Sequence, residues 1–295
     1  MLKYLLKSAY ETYKSDGILV LFEQIARYFI LYGNPVNIAD YWYKRLSGKR
    51  WQKVKVQGSF MLLDLKDKGI HADLYINRIR EPQATRYLQS IMKPDWTVAD
   101  IGANIGYYAL QEASKVKEVI AIEPSPDNYK NLVHNISLNH YKNIETHQLA
   151  IGDHDGEIGF EIAAACNWNK IARDGKGNIN VKLTTLDKFL NGRKVDFIRM
   201  DVEGYELSIL KGMDNTLKTY RPAMFIEVHR DLLKDYGSSQ LEFMEYLAKY
   251  DYAIDKAFIS AREGCQGKIR NLLAIPKYRQ TITERGIASH IFFKG

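Results

Sequence analysis

The chain has 295 residues, 46% hydrophobic and 26% charged. That usage suits one large domain, or a domain with an appendage, around a substantial core, and it excludes disorder and a small disulfide scaffold. Lys and Arg number 42 against 35 Asp and Glu, and residues 1–60 alone hold ten basic and four acidic side chains, so the rest is near neutral and does not read as a nucleic-acid-binding core.

Residues 1–50 read as helical and aromatic-rich. Leu2, Leu5, Leu6, Ala9 and Tyr10 recur at helical spacing beside Lys3, Lys7 and Lys14. A second apolar stretch over 18–32 ends at Gly33-Asn34-Pro35, and Lys44-Arg45 and Lys49-Arg50 make a short basic cluster. Two readings stand for residues 1–55: a helical appendage packed on the main domain, or an amphipathic anchor peripheral to an anionic membrane surface. No apolar run reaches the roughly 18–20 residues of a membrane span, and the start, Met1-Leu2-Lys3-Tyr4, does not open a secretory signal. Cys166 and Cys265 belong to no C-x-x-C motif, which suits a reducing, cytoplasmic compartment.

Residues 56–295 form the expected main domain. Alternating apolar positions predict a hairpin or edge strands over 54–64, and a helix follows over 81–92. Past Lys93-Pro94-Asp95, strands and helices alternate. Strands are predicted over 97–100, 118–122, 144–149, 181–184, 195–200 and 223–228. Helices are predicted over 107–115, 127–139, 203–212 (stopped by Gly212) and 241–249. This pattern predicts an α/β fold with a mostly parallel sheet covered on both faces. Ligands of such sheets bind beyond the carboxyl ends of the strands, a rim that here comprises Asp100, Glu123, Leu149-Ala150, Asp201 and Glu227.

The strongest local signal is Asp100-Ile101-Gly102-Ala103-Asn104-Ile105-Gly106: a strand end, a glycine turn, then a helix. Glu123 ends the next strand 23 residues after Asp100, placed to accept hydrogen bonds from both hydroxyls of a ribose. A dinucleotide site wants G-x-G-x-x-G, with its pyrophosphate on bare backbone at a helix N-terminus. Here Asn104 occupies the middle glycine position, and Asp100 brings a carboxylate that repels phosphate and attracts a cation. The loop therefore favours S-adenosyl-L-methionine, whose sulfonium and ammonium are positive. Ala150, Ile151 and Asp153 lie where an adenine ring would reach, although Asp153-His154-Asp155-Gly156 is equally an ordinary polar turn.

The chain resembles the FkbM family of S-adenosylmethionine-dependent methyltransferases. The residues that carry the resemblance are Asp100 to Gly106, Glu123-Pro124, Ala150-Ile151-Gly152-Asp153, Thr184-Thr185-Leu186-Asp187, the block Phe197-Ile198-Arg199-Met200-Asp201-Val202-Glu203-Gly204-Tyr205-Glu206, and Pro222 to Glu227. The block is the most specific. The family usually has Lys at position 199 and Ile at 200, so Arg199 keeps the charge. The resemblance implies a Rossmann-like class I methyltransferase fold with a seven-stranded sheet, and O-methylation of hydroxyl groups, often on sugars, glycans or secondary metabolites.

The local chemistry agrees with that implication. Asp201-Val202-Glu203-Gly204 stands where base-modifying amino-methyltransferases commonly carry an Asn/Asp-Pro-Pro-aromatic clamp, and a carboxylate cluster suits a hydroxyl that must lose its proton. Asp201 is the first candidate base, with Glu203, Glu227 and His229 near it in the pattern. An alternative role for Asp201, Glu227 and His229 is a divalent metal site for a vicinal diol, although spacing alone supports no metal assignment. The expected activity is O-methylation of a sugar, glycan or glycolipid-type acceptor without nucleic acid as partner. An RNA or base methyltransferase, and a non-catalytic cofactor-binding protein peripheral to the membrane, are the competing readings. Trp168, within the long segment 163–180, is equally a sugar-stacking residue or a local packing one.

Overall fold

The computed structural model describes residues 34–67, 69–163, 165–255 and 271–276. Most of the expected N-terminal appendage, residues 1–33, lies outside the described residues, as does Cys265. Helix α1 (Pro35–Leu46) starts where Asn34 caps it, its side-chain oxygen accepting from the Val36 N–H at 3.0 Å, with Pro35 in the first turn. Strands β1 (Trp51–Val56) and β2 (Ser59–Asp64) form an antiparallel hairpin. It docks on the central domain: the Phe60 and Leu62 N–H groups donate to the side chains of Asn139 and Asn135 at 2.8 and 2.7 Å.

Helices α2 (Ile70–Asn77) and α3 (Pro82–Ile91) lead into β3 (Thr97–Ile101), α4 (Tyr107–Ala113), β4 (Glu118–Ile122), α5 (Pro126–Ser137) and β5 (Ile144–His147). Four short strands come next: β6 (Ala150–Gly152), β7 (Gly156–Glu161), β8 (Lys170–Ile171) and β9 (Ile179–Thr185). The chain continues through α6 (Leu186–Leu190), β10 (Phe197–Met200), α7 (Glu206–Lys211), α8 (Asp214–Thr219), β11 (Ala223–Glu227), α9 (Arg230–Leu233), α10 (Gln240–Lys249), β12 (Tyr252–Asp255) and β13 (Asn271–Pro276).

Seven strands build the main sheet in the order β12-β13-β11-β10-β3-β4-β5, parallel from β11 to β5, with β13 antiparallel to both its neighbours. This is the doubly wound, Rossmann-like arrangement expected from the sequence. Every residue of β3, β10 and β11 is buried, as strands covered on both faces must be. Their side chains alternate between two cores. Ala99, Ile101, Ile120, Ile122 and Ile198 pack toward the second sheet, while Val98, Val119, Ala121, Phe197 and Phe225 pack toward the hairpin and α2–α4. After β3 the chain adds strands on one side, and β10 and β11 then fill the other. The carboxyl ends of β3 and β10 therefore flank the switch point where a ligand crevice opens.

Three expectations need correction. The strand expected over 144–149 divides, and only Ile144–His147 joins the main sheet. Ala150–Gly152 and the strand expected near 181–184 belong instead to a four-stranded sheet of order β6-β9-β7-β8. The helix expected from 203 begins at Glu206, because Glu203 and Gly204 have φ of +51° and +105°, which no right-handed helix accepts. At Gly204 a β-carbon would stand 2.7 Å from Leu232 and 2.8 Å from Tyr236, so the turn also needs the missing side chain. Among the described residues, no helix is long and apolar enough to cross a membrane.

Candidate active site

Two turns meet at the switch point: residues 102–106 after β3 and 201–205 after β10. Gly102 sits at φ +82°, and a β-carbon there would lie 2.0 Å from the Asp201 carbonyl oxygen. Only glycine lets the two turns touch. Asn104 takes φ +52°, which asparagine tolerates, and its side-chain oxygen accepts from the Ile105 N–H at 2.8 Å. The Gly102 and Ala103 N–H groups both donate to the Ile122 carbonyl, at 2.9 and 3.0 Å, tying the turn to the end of β4. Glu123 completes the frame. Its carboxylate accepts from the backbone N–H of Asn104 at 2.8 Å and of Ser125 at 2.9 Å. Burial pushes its carboxyl up to about 7 despite those bonds.

The two turns open on one cleft. Of the residues chosen from sequence, Gly102, Ala103, Asn104, Glu123, Pro124, Ala150, Ile151, Asp201 and Glu203 line it. Leu149, Ala150, Ile151, Phe160 and Ile171 form its apolar wall. Asp100, Gly106, Asp153, Glu227 and His229 are outside that lining. Gly106 caps α4 behind the turn. Asp153 lies past β6, where its carboxylate pairs with His154 Nδ1 at 2.7 Å.

Asp100 stands outside the cleft lining. It points into the core, fully buried, and accepts from Arg199 Nη1 at 2.9 Å across the β3–β10 register. Burial raises its carboxyl, against the pull of Arg199. Arg199 forks: its Nη2 also donates to Asp201 Oδ2 at 3.2 Å, and its guanidinium stacks 3.9 Å over the Tyr108 ring. Burial opposes the Arg199 charge, but Asp100 and Asp201 outweigh it and hold the guanidinium protonated. Beneath them lies Glu112, its carboxyl pushed well up by burial. The negative charge that faces the cleft therefore comes from Asp201, Glu203 and Glu123, while Asp100 is spent on Arg199.

A second cluster stands behind Glu203. Glu206 Oε1 accepts from the Gly204 N–H at 3.1 Å and lies 3.1 Å from His229 Nδ1. His229 Nε2 is 3.4 Å from Glu203 and 3.6 Å from Glu227. Burial disfavours a charged imidazole, but the Glu206 bond and the charges of Asp201, Glu203 and Glu227 outweigh it, raising His229 to about 10. At neutral pH that value makes this residue an imidazolium, and of the four residues expected to act on the acceptor, Asp201 and Glu203 line the cleft. Asp201, Glu227 and His229 each bring one ligand atom within 4.8 Å of the others, and a metal ion there must displace the His229 proton.

Sequence reading missed Arg80, Tyr108, Glu112 and the partnership of Glu206 with His229. Glu206 caps the turn by accepting from the Gly204 N–H, and its contact with His229 depends on the β10–β11 pairing. Arg80 lines the cleft from the segment before α3, and no motif points to it.

The family model described as the methyltransferase FkbM domain matches residues 100–254. The hexuronic acid methyltransferase AglP of Haloferax volcanii is 29% identical over 154 residues, covering 50% of this chain and 62% of that protein. Methyltransferase 1 of Beauveria bassiana is 22% identical over 178 residues, covering 51% of this chain and 69% of its own length. The chain thus spans only about two thirds of these relatives. Among solved structures, the FkbM methyltransferase of Methylobacillus flagellatus is 18% identical, with a TM-score of 0.43, 69% of this chain and 52% of that one covered. The assignment of fold rests on the strand order, which is that of a Rossmann-like class I methyltransferase.

Proposed function

Because the chain belongs to the FkbM methyltransferase family, we propose that it methylates a hydroxyl of a sugar, glycan or glycolipid-type acceptor, using S-adenosyl-L-methionine. The observation that carries this reading is the convergence of the glycine turn, Glu123 and the carboxylates of Asp201 and Glu203 on one cleft. The sugar class is supported by the name of the Haloferax relative, a hexuronic acid methyltransferase.

The residues fit that cofactor. Glu123 uses one lone pair of each oxygen on backbone N–H groups and keeps others for ribose hydroxyls. Leu149, Ala150, Ile151 and Phe160 offer an apolar wall for adenine. When bound, S-adenosylmethionine supplies an electrophilic methyl group on a sulfonium. The chain's own work is to orient the acceptor oxygen, exclude water and take a proton. Asp201 is the proposed base: it ends β10 at the cleft, with Oδ2 fixed by Arg199, itself locked by Asp100. Glu203 stands beside it, backed by the His229 imidazolium, in an acidic environment that favours a positively charged methyl donor. Asp100 and Gly106 then serve the site by holding Arg199 and the start of α4, and Glu227 and His229 by holding Glu203.

A labelled-methyl transfer assay over extracted glycolipids and glycans tests this reading. Asp201→Asn is expected to lower turnover by about 10²–10⁴-fold while S-adenosylhomocysteine still binds. A variant as fast as the parent removes Asp201 as base.

We further propose that the protein works in the cytoplasm near a membrane-borne acceptor, with residues 1–55 as the membrane-facing part. Support comes from α1 and the hairpin, where Trp42, Tyr43, Leu46, Trp51 and Phe60 are exposed beside Lys44, Arg45, Lys49 and Arg50.

A further inference from the structure

We propose that Arg80 is a carboxylate-binding residue of the cleft. Its guanidinium receives either the carboxylate of the methionyl tail of S-adenosylmethionine or an acid group on the acceptor. Both arms rest on the function proposed above.

The backbone around Arg80 is held in place. Its N–H donates to Tyr107 Oη at 3.2 Å and its carbonyl accepts from Thr85 Oγ1 at 2.6 Å. The flanking Arg78 and Glu81 have φ of +57° and +43°, conformations that strain a non-glycine residue. This turn delivers a side chain that is only 16% exposed into the wall of the cleft.

The guanidinium is charged yet makes no hydrogen bond among the described residues. Its closest carboxylate oxygen is Glu81 Oε1, at 3.6 Å, beyond hydrogen-bonding reach. Glu81 takes its hydrogen bond from Tyr108 Oη instead, at 3.1 Å. Its N–H donors therefore face the cleft, where a ligand can take them. Arg199, in the same cleft, shows the satisfied counterpart, with its fork divided between Asp100 and Asp201. The planar fork of Arg80 matches a carboxylate through two parallel bonds. Burial opposes the Arg80 charge, but Glu81, Asp201 and Glu227 outweigh it, and Glu81 approaches one nitrogen without a bidentate bond.

The test is calorimetry on the full chain with two probes, S-adenosylhomocysteine and 5′-methylthioadenosine, which lacks the amino-acid tail. Arg80→Ala and Arg80→Lys are compared with the parent, and thermal unfolding verifies that each variant is folded. If the cofactor carboxylate is the ligand, Arg80→Ala weakens S-adenosylhomocysteine about 10–100-fold. It leaves 5′-methylthioadenosine within twofold, and Arg80→Lys recovers part of the loss. If the acceptor carries the carboxylate, both nucleosides bind every variant as they bind the parent. The KM of a uronic-acid acceptor then rises at least tenfold, while that of a neutral sugar stays put. Equal loss for both nucleosides, or no change for any carboxylate ligand, overturns the proposal. A parent protein that binds neither nucleoside overturns the cofactor reading instead.

Discussion

Glu206 Oε1 and His229 Nδ1 stand 3.1 Å apart, joining the start of α7 to the second residue past β11. That contact and the surrounding carboxylates raise His229 to about 10 from an ordinary 6.5. A group whose folded value is raised stabilises the fold fully below its unfolded value and loses that contribution as pH rises through the folded one. Stability from His229 is therefore present below pH 6.5 and lost on the way past pH 10. Glu206→Gln is expected to lower the His229 value and cost about 3 kcal/mol. Imidazole NMR titration and urea unfolding at pH 7 measure the two effects. An unchanged titration in the variant removes Glu206 as the partner that sets His229.

Gly102 carries a second expectation. With φ at +82° and the Asp201 carbonyl 2.0 Å from where a β-carbon would stand, Gly102→Ala must move backbone. The expected cost is about 2 kcal/mol or more. Because the displaced turn carries Asn104, whose N–H holds Glu123, nucleoside affinity should fall with it. Calorimetry with S-adenosylhomocysteine, on protein shown to be folded, reads this. Gly48→Ala is the control: its φ is +80° and a β-carbon meets nothing within 4 Å, so backbone strain alone should leave affinity intact.

The exposed Trp42, Tyr43, Leu46, Trp51 and Phe60, with the basic residues beside them, lead to a flotation experiment. The full chain is expected to float with vesicles containing anionic lipid, more weakly at high salt, and not with neutral vesicles. Replacing Trp42, Tyr43 and Leu46 together by Ser should reduce flotation without changing S-adenosylhomocysteine affinity. Equal recovery of parent and variant would leave these side chains without a membrane role.

The legible part of the fold was the part buried on both faces. Runs such as Val98-Ala99 and Phe197-Ile198, bounded by turn residues, announce central parallel strands because no polar alternation is possible there. The second sheet was largely missed because β7 and β9 mix Glu157, Asn180 and Lys182 with small or apolar residues, as half-exposed antiparallel strands do. Helix α2 was missed because polar His71 sits within its buried face while apolar Ala72 and Ile76 lie off it, which blurs the amphipathic period. At the cleft, a motif located Gly102 and Glu123, whose positions follow from chain order. Asp100 turns to Arg199, a partner 99 residues away that is fixed only by strand register. Arg80 depends on a turn with two positive φ angles at non-glycine residues, for which composition carries no signal.

Glu123 gives the cleft a pH dependence. Burial pushes its carboxyl up to about 7, so it is mostly ionised at pH 8 and mostly protonated at pH 6. On the proposed reading, ribose hydroxyls donate to this group in its ionised form, and a ligand that prefers one form binds more weakly as that form is depleted. S-adenosylhomocysteine affinity is therefore expected to fall about tenfold from pH 8 to pH 6. Glu123→Gln should lower affinity at pH 8 and flatten the dependence. The amide has one acceptor oxygen for the two backbone N–H groups of Asn104 and Ser125, so some loss of stability accompanies it. Calorimetry across the range separates the two effects, since a purely structural role lowers affinity in parallel at every pH. A parent whose affinity is flat between pH 6 and 8 would show that the Glu123 charge takes no part in holding the nucleoside.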